Sequence, residues 1–281
     1  LSTSMTRTKS TTKEDIKPWI RRFARFGYMA KGFVYVVIGI LAFMAAIGVG
    51  GKTTDTKGML RSLATLPFGA VLLWLTAAGL ICYILWVFLK AVKDPKDKGS
   101  DAKGLANRAM YILSGIIYSG IALNAVQIAM NAGSSGGGNT QETLSAKLLS
   151  QPFGQWILGA VGLAIIGYGL NELYGGVTTN FMGKFHTGMM DDHEKKLARN
   201  SGRLGLVSRG IVLSLIGYFF IQTAITANPE KAKGLDEALS ELAQKPFGQW
   251  ILGIVSLGLL LYGTYQIIRG RHENMSFGKV K

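Results

Sequence analysis

Apolar residues in this chain of 281 residues are bunched into blocks rather than spread at the intervals of a half-buried surface helix. Six windows are nearly free of charge: Gly32 to Gly51, Phe68 to Leu89, Ala109 to Ala132, Phe153 to Leu173, Gly210 to Asn228 and Phe247 to Ile268. Each supplies about the twenty residues needed to cross a hydrocarbon core of roughly 30 Å. The pattern predicts an all-α membrane protein with six transmembrane helices. The first thirty-one residues carry eight basic side chains and no apolar run, and no small-residue cleavage site follows the first block, so no removable signal peptide is expected.

The blocks repeat. Aligned on the PFG tripeptides at Pro67, Pro152 and Pro246, they place a tyrosine sixteen residues after each proline, at Tyr83, Tyr168 and Tyr262. Upstream, an arginine is followed seven residues later by glycine in Arg25 with Gly32, Arg108 with Gly115 and Arg203 with Gly210, and from that glycine to the proline the distances are 35, 37 and 36 residues. Each copy reads as helix, loop, helix. Two spans per copy give all three the same orientation, and parallel repeats are related by an axis along the membrane normal. A pseudo-threefold bundle is therefore expected, divided into a basic segment 1–20, repeats at 21–98, 104–180 and 202–271, a linker 181–201 and a tail 272–281.

The octapeptide PFGQWILG occurs twice, and its residues suit a corner at a membrane surface. Pro67, Pro152 and Pro246 fit the first turn of a helix and push the preceding residue out of the helical region. Phe68, Phe153 and Phe247 would anchor the corner in apolar surroundings, and Gly69, Gly154 and Gly248 would allow close packing beside it. Trp156 and Trp250 fall where an aromatic belt is expected, whereas the first copy has its tryptophan deeper, at Trp74. Before each corner lies a stretch with helical apolar spacing: GMLRSLATL, ETLSAKLLSQ and LDEALSELAQK, with Leu63, Leu148 and Leu242 four residues ahead of the prolines. These predict three short amphipathic helices in the outer loops, the second opened by Asn139 and Glu142 at capping-box spacing; the alternative is a packed loop.

The copies open as ARFGYMAKGFVY, NRAMYILSGIIY and GRLGLVSRGIVL. With the PFG links, these segments resemble the uncharacterised bacterial membrane family called domain of unknown function 1206, whose members look like tandem two-helix repeats with an ARxGYxARGxVY type opening and an LAxQPFG type link. The resemblance covers roughly residues 22 to 270. It is close in the first copy, while the others keep the arginine, the glycine and the whole PFG block. It implies an architecture and no activity.

The net charge of +15 changes the picture only once it is mapped. With six spans, the termini and even loops share one side, which holds 24 of the 31 Lys and Arg against 7 on the other. With the acids included, the two sides carry +15 and +1, and Glu172 lies inside a span. By the positive-inside rule this predicts a multi-pass protein of the cytoplasmic membrane with both termini in the cytoplasm. The expected partners are the bilayer, anionic headgroups at the cytoplasmic face and other membrane proteins. No nucleic-acid partner is expected, since no aromatic and basic groove accompanies the charge.

Candidate chemistry is sparse. Cys82 lies within the second block and has no partner for an intrachain disulfide. His186, His193 and His272 lie outside the spans, which disfavours haem ligation, and HTGMMDDHE with Asp191 and Asp192 reads as solvated sooner than as a metal site. Nothing near Ser114, Ser119 or Ser214 provides the base and acid of a catalytic group, and AGSSGGGN lacks the lysine of a phosphate loop. No cofactor and no metal are expected. Glu172 stands twenty residues after Pro152, about 30 Å along the axis, and reads as an interfacial carboxylate facing the basic loops. Gln127, Gln222, Asn124, Thr76, Asn171 and Gln266 read as hydrogen-bonding glue between helices. Mitochondrial carriers also have three helix pairs, but none of the six prolines here begins their Px[DE]xx[KR] motif. The leading expectation is a non-enzymatic accessory or scaffolding subunit of a membrane complex. The alternative is a small-solute or lipid-handling transporter, with a pocket on the pseudo-threefold axis lined by Glu172, Asn171, Gln127, Gln222 and Gln266.

Overall fold

A computed structural model describes residues 18–49, 56–93, 102–130 and 140–273. Among them the chain forms nine α-helices: α1 (Pro18–Ala46), α2 (Thr56–Ala64), α3 (Gly69–Lys93), α4 (Ala102–Met130), α5 (Thr140–Leu149), α6 (Gly154–Thr178), α7 (Asp192–Thr226), α8 (Leu235–Gln244) and α9 (Gly248–His272). By length and composition α1, α3, α6, α7 and α9 could each cross a membrane, whereas in α4 the uninterrupted apolar part is the shorter stretch Ser114–Met130. Short 3-10 turns lie at Asn180–Lys184, Thr187–Met189 and Pro229–Lys231.

Two helices, α1 and α7, overrun their apolar windows furthest at the basic end. The 29 residues of α1 span about 43 Å and the 35 of α7 about 52 Å, against roughly 30 Å of hydrocarbon. Pro18 opens α1, as its fixed φ and missing N–H suit a first helical position. Asp191 caps α7: its Oδ1 accepts from the Glu194 amide at 2.7 Å, and its own amide donates to Glu194 Oε2 at 3.4 Å. The second half of the expected linker 181–201 is thus the first three turns of α7.

The three helices before the corners are present as α2, α5 and α8. In α2, Met59, Leu60 and Leu63 are buried, and in α8 Ala238 and Leu239 are, so both press an apolar face on the bundle. α5 sits more loosely, with Leu148 and Leu149 half-buried. The cap expected at Asn139 lies outside the described residues.

Each corner is a tight turn closed from the glycine amide to the carbonyl three residues back: Gly69 to Leu66 at 2.9 Å, Gly154 to Gln151 at 3.0 Å and Gly248 to Lys245 at 2.7 Å. Pro67, Pro152 and Pro246 occupy the second position of these turns, and the membrane helices start at the glycines. The prolines therefore do not open the helices, as expected from sequence; their fixed φ shapes the turn before them. The third position falls on Phe68, Phe153 and Phe247, all left-handed at φ 62, 62 and 60°. Such a conformation costs a residue with a Cβ roughly 1–2 kcal/mol, and glycine is the usual occupant. Here the phenylalanine rings are 83, 78 and 82% exposed, pointing out of the bundle. The glycines that follow are buried, and a Cβ at Gly248 would lie 2.5 Å from the Leu242 carbonyl oxygen.

The closest helix pairs join different copies: α3 with α4, α6 with α7, and α9 back with α1. One contact recurs in all three seams. A Cβ on Gly32 would meet Ile267 at 2.6 Å, on Gly115 it would meet Phe88 at 2.9 Å, and on Gly210 Leu173 at 2.7 Å. Ile267, Phe88 and Leu173 each stand 21 residues after the proline of their copy. Within copies, α1 packs on α3 and α7 on α9, while α4 and α6 have no comparable pairing among the described residues. The interior toward the PFG end is apolar, built on Val34, Ile38, Ala42, Leu73, Leu252 and Leu259.

Candidate functional site

Helical spacing of three and four residues sets Tyr28, Lys31 and Tyr35 on one side of α1, Tyr83, Trp86 and Lys90 on α3, Tyr168 and Glu172 on α6, and Tyr262, Gln266, Arg269 and Glu273 on and just past α9. These side chains converge in the basic third of the bundle. Lys31 lies fifteen residues before Ala46, about 22 Å from that end of α1, and Glu172 eighteen residues past Gly154, about 27 Å along α6.

Arg209 of α7 is the hub of the first group. Its guanidinium pairs with the Glu172 carboxylate, both side chains being 8% exposed, and Nε donates to the Tyr35 hydroxyl at 3.1 Å. Its central carbon lies 4.9, 5.4 and 5.6 Å from the ring centres of Tyr262, Tyr168 and Tyr35. One arginine thereby ties α1, α6, α7 and α9, drawn from all three copies. Glu172 engages through Oε1, while Oε2 is buried without a hydrogen bond.

The second group sits nearer the chain ends. Glu273 Oε1 accepts from Lys90 at 3.3 Å and from Arg269 at 2.8 Å, and both cations also donate to the Tyr28 hydroxyl, at 2.5 and 3.3 Å. Burial pushes the Glu273 carboxyl up, but Arg269 and then Lys90 outweigh it and hold the pKa down at about 2. Above this group folds the segment between α6 and α7. Phe181 and Phe185 pack on Tyr265 with ring centres 5.2 and 5.9 Å apart, Phe185 bridges to Glu273, and the His186 amide donates to the His272 carbonyl at 2.9 Å.

Lys31 forms the third group. It is 3% exposed, donates to the Tyr83 hydroxyl at 3.0 Å, and lies 4.8, 4.9 and 5.9 Å from the ring centres of Tyr83, Tyr118 and Tyr262. No carboxylate stands within ion-pair distance of it among the described residues.

Of the polar residues singled out in the sequence, Glu172 and Gln266 belong to this cluster, with Gln266 donating to the Tyr262 hydroxyl. Asn171 and Gln127 are exposed and Gln222 is half-buried toward the PFG end, so the structure does not gather the five around one pocket. Glu172 is buried against Arg209 rather than lying at an open interface. The polar side chains do not bridge helices as expected: Thr76 donates to the Leu72 carbonyl at 2.7 Å and Asn124 to that of Gly120 at 2.8 Å, each within its own helix. Trp156 and Trp250 are 80 and 77% exposed, as an aromatic belt requires. In HTGMMDDHE, Asp191 is the cap of α7 and Asp192 accepts from Lys195 at 3.1 Å.

The cations that hold the cluster were missed because they were counted with the loops. A register signal marks them: Lys31 and Arg209 both stand one residue before the opening glycine, and Lys90 and Arg269 both 23 after the proline.

The three copies, at residues 26–94, 109–179 and 204–273, each match the family described as Domain of Unknown Function (DUF1206). The chain belongs to this family. Over 270 residues it is 42% identical to the uncharacterized protein YxxB of Bacillus subtilis (strain 168), an alignment covering 96% of this chain and 97% of that protein. No solved structure matches. Each family segment contributes to the cluster: Lys31 and Lys90 come from the first, Tyr118, Tyr168 and Glu172 from the second, and Arg209, Arg269 and Glu273 from the third. The family unit is thus a helix pair completed by its neighbours, and the ionic cluster is a property of the set of three.

Proposed function

We propose that this member of the family is a six-span protein of the cytoplasmic membrane with both termini in the cytoplasm, its copies arranged about a pseudo-threefold axis. In this reading it acts as a non-catalytic accessory or scaffolding subunit of a larger membrane complex. The observation that carries it is the interior toward the PFG end, where among the described residues Val34, Ile38, Leu73, Leu252 and Leu259 are each at most 2% exposed and join one apolar core. A bundle closed in this way acts through its outer faces. The recurring glycine contacts of the three seams support the axis. The placement of 24 of the 31 basic residues supports the orientation, and parallel copies require α4 to cross as the others do.

Extraction from native membrane in mild detergent tests the reading. Co-migration with a defined partner, captured again by crosslinking, is the expected result. Migration as an isolated monomer with no crosslinked partner would overturn it.

A second reading, a small-solute or lipid-handling transporter, is favoured by the cluster itself, because ionisable side chains inside spans mark substrate paths by default. The two readings separate on the apolar plug. In a Cys82→Ala background, Ile38→Cys that reacts with a charged thiol reagent from both sides of the membrane would support transport, and inert Ile38→Cys supports the packed subunit.

A further inference from the structure

Beyond that role, we propose that the cluster binds one oxyanion of the phosphate class, reached from the basic end of the bundle, with Lys31 as its central contact. The argument is one of charge. Four cations, Lys31, Lys90, Arg209 and Arg269, share the site with two carboxylates, and both carboxylates are engaged: Glu172 by Arg209, and Glu273 by Lys90 and Arg269 together. Lys31 is left with a tyrosine hydroxyl and ring faces. These stabilise an ammonium without neutralising it, and a buried charge without a counter-charge is strongly disfavoured. A bound anion would balance the excess of two positive charges.

The donors specify its chemistry. A guanidinium fork, an ammonium and tyrosine hydroxyls on separate helices suit an anion with several oxygens. Arg269 Nε is a further buried donor without a partner. The repeat register shows which copy contributes least to the cluster. At the two cation positions the second copy has Ser114 and Gly175, and a Cβ added at Gly175 would meet nothing within 4 Å.

A lipid headgroup and free phosphate share this chemistry, so the test has two arms. The full-length chain is purified in zwitterionic detergent, and inorganic phosphate is titrated with thermal unfolding and calorimetry as readouts. In parallel, the chain is placed in nanodiscs of phosphatidylcholine alone or doped with phosphatidylglycerol, and retained lipid is counted by native mass spectrometry. The expected result is saturable binding of one anion per chain in one arm, weakened at least tenfold by Lys31→Met and retained in Lys31→Arg. Binding confined to the phosphate arm identifies a soluble ligand, and binding confined to the lipid arm a headgroup. No saturable binding by the wild-type chain in either arm overturns the proposal, as does a Lys31→Met variant within twofold of wild type. Should Lys31→Met fail to fold, the wild-type stoichiometry decides alone. These readouts do not depend on whether a protein partner is found.

Discussion

The pair Arg209 and Glu172 offers the sharpest test of how the copies are held together. Replacing Arg209 with Met leaves a carboxylate 8% exposed without its cation, its second oxygen already lacking a hydrogen bond. Breaking a buried ion pair from one side costs about 3–5 kcal/mol. The lower end, about 3 kcal/mol, applies here, because helices unfolded within a micelle still find other partners. Glu172→Met strands the arginine instead, but Arg209 keeps the Tyr35 hydroxyl and three ring faces, worth roughly 0.5–2 kcal/mol together, so this variant should suffer less. The double variant replaces the pair with apolar side chains and should lie within about 1 kcal/mol of wild type. The coupling then exceeds ~2 kcal/mol, at the upper end for contacting residues. Unfolding in mixed micelles with increasing dodecyl sulfate, followed by tryptophan fluorescence, measures all four proteins. If the two single effects simply add in the double variant, the pair is not a buried stitch and the reasoning fails.

Gly263→Ala should destabilise by about 2 kcal/mol in the same assay, because its Cβ would lie 2.5 Å from the Gly32 carbonyl oxygen and 2.6 Å from the Val36 amide, both backbone atoms. Gly167→Ala, where a Cβ meets nothing within 4 Å, should be neutral or gain up to about 1 kcal/mol; equal effects at the two sites would refute the close approach. At the third corner, Phe247→Gly should be more stable than Phe247→Ala by about 1 kcal/mol, since only glycine adopts φ 60° without strain, and the reverse order in melting temperature would disprove the left-handed turn. Glu273 has a folded pKa of about 2, below its ordinary 4.5, so its stabilisation is present above pH 4.5 and lost as pH falls through about 2. At neutral pH Glu273→Gln should cost about 3 kcal/mol, and that difference should shrink steadily below pH 4.5; a gap independent of pH would contradict the assignment.

Much of the architecture was legible because it depends on one-dimensional signals. Charge-free runs marked membrane helices, and Pro67, Pro152 and Pro246 marked three corners, which the structure keeps. The cluster was not legible, for a physical reason. Lys31, Lys90, Arg209 and Arg269 stand at the basic ends of apolar windows, where a count along the chain cannot distinguish a cation facing water from one turned inward. The helices continue past those windows, α1 by fourteen residues before Gly32, so the cations sit on rigid helical faces instead of loops. Equivalent positions compared across copies carry the missing information, as Lys31 with Arg209 and Lys90 with Arg269 show. The left-handed phenylalanines were hidden too, because PFG reads equally well as a helix start.

The seam between α1 and α9 has a consequence for biogenesis. Gly32 and Gly263 meet across it although 231 residues separate them. At a synthesis rate of about 5–20 residues per second, the ribosome takes roughly 10–50 s to deliver the second after the first. Throughout that interval α1 has been made but lacks its main neighbour, with its glycine-lined face turned toward whatever surrounds it. Insertion machinery or lipid must shield that face in the meantime. A nascent chain arrested before α9 is therefore a predictable substrate for membrane quality control, however well its earlier helices have inserted.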